Sequence, residues 1–110
     1  TLKGTWEFQG GAYNGKSEGP PTDCILQRKY RDTVFDAFLL EKGEKPVKYQ
    51  SGKYTLSGDS CLETETFNIQ SDRLTGKTLH YHYIIRNDSL ILNGRLPTCM
   101  VVEEYWKKVK

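Results

Sequence analysis

Gly52-Lys53-Tyr54-Thr55-Leu56-Ser57-Gly58-Asp59-Ser60-Cys61-Leu62-Glu63 is two alternating runs joined by a Gly-Asp pair. A two-residue turn of this kind closes an antiparallel hairpin. It sets Leu56 opposite Cys61 and Tyr54 opposite Glu63, and residues directly opposite one another share a face of the sheet. The same reading extends outward. Asn87-Asp88 sets Ile85 opposite Leu90 and Tyr83 opposite Leu92. Asp32-Thr33, read as a turn, sets Tyr30 opposite Phe35, Arg28 opposite Ala37 and Leu26 opposite Leu39.

These registers sort the side chains. One face collects Leu26, Tyr30, Phe35, Leu39, Tyr54, Leu56, Phe67, Leu79, Tyr81, Tyr83, Ile85, Leu90 and Leu92. The other collects Lys29, Asp36, Lys53, Thr55, Thr64, Thr66, His80 and His82. A half-buried antiparallel sheet requires that separation. Ile25, Phe38, Leu40, Ile84 and Ile91 fall on the polar side and have no assigned burial.

Helical periodicity is nearly absent. Strands are predicted over about 4–9, 23–31, 34–41, 46–57, 60–70, 77–86, 89–95 and 99–109. Short loops between them favour an up-and-down order. The long connection at 10–22, rich in Gly with Pro20 and Pro21, is expected to be a lid or an irregular crossing. A sheet of this length buries one face most simply by curling shut, which also removes its edges. The expected fold is all-β: a single antiparallel up-and-down β-barrel of about eight strands, one domain over residues 1–110.

Composition agrees. The 110 residues are 36% hydrophobic and 27% charged, enough for one core with a hydrated surface. A net charge of +2 implies no strong attraction to nucleic acid. No stretch approaches the roughly 20 apolar residues of a membrane helix. Cys24, Cys61 and Cys99 are an odd set at spacings that match no metal or redox motif.

Several segments together resemble one family. Gly4-Thr5-Trp6 is similar to the G-x-W signature that begins the first strand of lipocalins and their relatives. Glu103-Glu104-Tyr105-Trp106-Lys107-Lys108-Val109 resembles the closing strand of small bacterial lipocalin-like, calycin-type domains. The hairpin quoted first, Lys29-Tyr30 with Phe35, and Gly76-Lys77 with Tyr83 extend the likeness over almost the whole chain. The resemblance implies that Trp6, Trp106 and Lys108 close one barrel end, with the first-strand indole beneath Lys107 or Lys108. It also implies a secreted or periplasmic domain of unknown function that binds rather than catalyses.

Charge on the apolar face marks a candidate site. The registers send Arg28, Glu63 and Glu65 inward beside Tyr54, Tyr81 and Tyr83. Unpaired carboxylates there would cost several kcal/mol, so Arg28, tyrosine hydroxyls, water or a ligand must compensate. Arg28, Tyr54, Glu63, Glu65, Tyr81 and Tyr83 are therefore the expected contacts of a small hydrophobic or amphipathic molecule. The bland alternative is a structural ion pair near a watered mouth.

His80-x-His82 has a chelating spacing but lies on the polar face, so no metal is expected. No nucleophile motif is present, and no catalysis and no cofactor are expected. The remaining alternative is a protein-interaction or inhibitor module with a filled interior. The expected assembly is a monomer or weak homodimer, with no nucleic-acid partner.

Overall fold

The structure is a computed structural model describing residues 2–70, 75–96 and 99–110. Among the described residues nine strands form one antiparallel sheet: β1 (Gly4–Tyr13), β2 (Lys16–Glu18), β3 (Ile25–Tyr30), β4 (Val34–Leu40), β5 (Val47–Ser57), β6 (Ser60–Asn68), β7 (Thr78–Arg86), β8 (Ser89–Arg95) and β9 (Val101–Lys108). Their order is β2-β1-β3-β4-β5-β6-β7-β8-β9, and β1 also pairs with β9. That last pairing closes a barrel from which only the short β2 is left out. Among the described residues no helix is long and apolar enough to cross a membrane.

All three registers read from the turns are present, with Tyr54 opposite Glu63, Tyr83 opposite Leu92 and Arg28 opposite Ala37. Asn87 at φ 54° and Gly58 at φ 60° supply the left-handed residues that two of these turns need. Asp32 and Thr33 make the third turn without a positive φ, closed by Arg31 N–H donating to the Val34 carbonyl at 2.9 Å.

The segment at 10–22 is not wholly irregular. Its first part continues β1 and turns through Asn14-Gly15 into β2. Asn-Gly is itself a strong hairpin signal, masked here by the polar shortness of Lys16–Glu18.

Among the described residues three bulges distort the sheet. Gln9 is the extra residue between Phe8 and Gly10 on β1, Tyr49 on β5 against β4, and Thr66 on β6 against β5. Each reverses the in-out phase and bends its strand. The bulge at Thr66 corrects one expectation: Phe67 turns outward and is 43% exposed. Leu56 sits at the barrel end and is 45% exposed.

The end carrying the turns 32–33, 58–59 and 87–88 is closed. Trp6 lies there, fully buried, and its indole N–H donates to the Leu2 carbonyl at 2.8 Å. Lys108 Nζ stands 4.7 Å from the Trp6 ring centroid, opposite it in the β1–β9 register. Above this plug, Tyr30 packs edge-on against Tyr54 with centroids 5.1 Å apart, and Phe35 follows. Arg28, Glu63 and Glu65 are buried as well.

Candidate functional site

Arg28 projects from β3 and Glu63 from β6, strands that are not sheet neighbours, so their contact crosses the lumen. Arg28 Nη2 donates to Glu63 Oε1 at 2.5 Å, and the Tyr30 hydroxyl donates to Glu63 Oε2 at 2.6 Å. The Cys61 thiol stands 3.7 Å from the same oxygen, and burial followed by that carboxylate pushes its pKa up to about 12. Burial alone would lower the Arg28 pKa. The Glu63 carboxylate opposes this, and the guanidinium stays charged, its pKa above the ordinary arginine value. Phe35 at 4.5 Å, Tyr30 at 5.4 Å and Trp106 at 5.8 Å place aromatic rings around that charge.

Glu65, two residues on, is held differently. Gln50 donates to its Oε2 at 2.6 Å and Asn68 at 3.2 Å, while the Thr75 hydroxyl donates to Oε1 at 2.7 Å. The bulge at Thr66 is what brings Asn68 inward for this contact. Glu65 thus ties β5, β6 and Thr75 together.

Above the Arg28–Glu63 pair, toward the end opposite the Trp6 plug, lies a cavity of about 600 Å³. Phe8, Tyr13, Tyr49, Tyr81 and Trp106 form aromatic walls, and Leu26, Leu79, Leu96, Met100 and Val102 add aliphatic surface. Its polar side chains are Arg28, Gln50, Glu104 and, near the mouth, Glu18 beside Gly19 and Pro21. Trp106 meets Phe8 edge-on at 5.1 Å. It therefore lines this cavity, one layer away from the end that it was expected to close with Trp6 and Lys108.

Of the six expected contact residues, Arg28 and Tyr81 line the cavity. Glu63 lies buried beneath, its carboxylate already taken by Arg28 and Tyr30. The hydroxyl compensating it is thus that of Tyr30. The Tyr54 hydroxyl instead donates to the Arg31 carbonyl, and the Tyr83 hydroxyl to the Gly58 carbonyl at 3.2 Å, both toward the closed end. Glu65 is inside but saturated by the groups named above.

Tyr13, Tyr49 and Glu104 complete the site, and the turn-based reading missed all three. Tyr13 and Tyr49 reach the cavity only because bulges at Gln9 and Tyr49 shift the strand phase. Glu104 was legible: period two from Trp106 along β9 puts it and Val102 on the inner face. The Tyr13 hydroxyl donates to Glu104 Oε2 at 3.3 Å. Burial raises the Glu104 pKa above its ordinary 4.5, Arg28 pulling the other way and Glu63 reinforcing the rise. Burial likewise raises the phenols of Tyr13, Tyr49 and Tyr81.

His80 and His82 are on the exterior, His80 Nε2 at 2.9 Å from Ser60 Oγ and His82 Nε2 at 2.7 Å from Asp59 Oδ2. Among the described residues no three metal-ligating side chains gather.

No family model and no curated protein matches the sequence. The fold does have a counterpart. A crystal structure of a lipocalin-like protein from Bacteroides uniformis ATCC 8492 superposes with a TM-score of 0.68, covering 98% of each chain at 16% identity. The chain therefore has the fold of a small bacterial lipocalin-like domain.

Proposed function

We propose that this protein binds a small amphipathic molecule inside its barrel and carries out no chemistry on it. One observation carries the reading: the about 600 Å³ cavity, walled by aromatic and aliphatic side chains with a few convergent polar groups. Ligand pockets of drug-sized molecules start at roughly 300 Å³ and have this mixed lining. A scaffold that used only its outer surface would have no need to keep such a volume open.

The absence of catalysis is part of the proposal, supported by the saturation of Glu63 and Glu65 through neighbouring side chains. A secreted or periplasmic setting belongs to it too, on the strength of the sequence resemblance, and fractionation of the source cells tests it.

Native mass spectrometry of protein purified from its own host should retain a small-molecule mass. An apolar fluorescent dye should bind wild-type protein, and Val102→Trp, which puts an indole into the cavity, should abolish binding while the far-ultraviolet spectrum stays that of a barrel. Dye bound equally by a folded Val102→Trp variant would place the binding elsewhere and defeat the reading.

A further inference from the structure

We propose that the cavity selects an organic cation, an amine on a small apolar body, with its ammonium group against the Glu104 carboxylate. This rests on the binding reading above and adds a charge to it.

The charge inventory of the interior points one way. Among the described residues Arg28 is the only cationic side chain lining the cavity, and its 2.5 Å contact is with Glu63, deeper in the barrel. Glu104 is left facing the cavity, with the Tyr13 hydroxyl donating to it and the Trp106 indole beside it. Glu18 adds a second carboxylate near the mouth. With Glu104 ionised, Arg28, Glu63 and Glu104 leave one negative charge, which a bound ammonium offsets; Glu65, also buried, is held separately by Gln50, Asn68 and Thr75. A bound carboxylate would instead add negative charge to an interior that already carries more acid than base, a costly arrangement out of water.

The walls favour the same ligand. Tyr13, Tyr49, Tyr81 and Trp106 surround the space, and electron-rich ring faces attract cations. The apolar remainder of the ligand would lie against Leu79 and Val102.

A pH dependence follows. Facing Glu104 are Tyr13 from β1, Arg28 from β3, Tyr49 from β5, Glu63 from β6 and Tyr81 from β7, while β8 contributes the uncharged Leu92 opposite it. Burial favours the protonated acid in the empty cavity, and an ammonium favours the anion. Amine binding should therefore release a proton and tighten as pH rises through the Glu104 titration. The amine itself stays charged, because alkylammonium groups titrate near pH ~10.

Phenylbutylamine, phenylbutanol and phenylbutyrate are of similar length and differ in the charge of the head. Calorimetry on the whole protein should show the amine binding at least roughly tenfold more tightly than either of the others. Its affinity should be higher at about pH 8 than at about pH 5. Glu104→Gln should remove both the preference and the pH dependence, and Glu18→Gln should weaken the amine less.

If the alcohol or the carboxylate binds as tightly as the amine, the cation assignment falls and the cavity reading stands. If amine binding is unchanged in folded Glu104→Gln, the assignment to Glu104 falls. If folded wild-type protein binds none of the three probes or the apolar dye, both readings fall together.

Discussion

Arg28 and Glu63 meet at 2.5 Å across the lumen, and both are more than nine-tenths buried. The pair joins two walls that share no backbone hydrogen bonds. Its net worth is set by what each partner would cost alone.

Removing either partner should therefore be severe. Arg28→Met strands a buried carboxylate, and Glu63→Leu strands a buried guanidinium. Each is expected to cost about 3–5 kcal/mol in urea unfolding, and the double variant should recover most of that loss. Single variants costing less than about 1 kcal/mol would show that water reaches the pair.

Glu104 gives stability a pH signature. Its folded pKa lies above the ordinary 4.5 because the half-buried side chain loses hydration inside the barrel. Between those two values the folded state holds a proton that the unfolded state has lost, so stability falls as pH rises through that window and then levels off. Glu104→Gln should be more stable than wild type at neutral pH, with the gap closing below about pH 4.5. Parallel melting curves across pH would contradict this.

Gly52 is required by space. A β-carbon there would meet the Thr64 carbonyl oxygen and lie 2.6 Å from a Phe35 ring carbon. The obstacles are backbone and a packed ring, neither able to yield cheaply. Gly52→Ala should cost about 1–3 kcal/mol, read as a lower denaturant midpoint.

The plug separates packing from charge. Trp6 is fully buried and Lys108 caps its ring, with Nζ also donating to the Lys3 carbonyl at 2.6 Å. Trp6→Ala should cost about 3–5 kcal/mol, whereas Lys108→Met, which keeps the apolar stem, should cost about 0.5–1 kcal/mol. Equal losses would mean that the ammonium, rather than the indole, holds this end shut.

How much of this was legible varies along the chain. The registers were, because Gly58-Asp59 and Asn87-Asp88 fix where each hairpin turns and period two then decides every face up to the next irregularity. Burial of Glu63 and Glu65 followed from that alone, and burial of Arg28 from the Asp32-Thr33 turn. Glu104 was legible as well, had the Trp106 face been followed along β9.

The cavity itself was not. Its Tyr13 and Tyr49 face inward only after one-residue bulges, and a bulge leaves no mark in composition or alternation. The same irregularity sent Phe67 outward and Asn68 to Glu65. Pairing across the lumen was equally hidden: Arg28 finds Glu63 only once β1 closes on β9 and curves distant walls together. Local alternation determined which side chains point in. Closure and bulging, which depend on strands far apart in the chain, decided which of them meet and what space they leave.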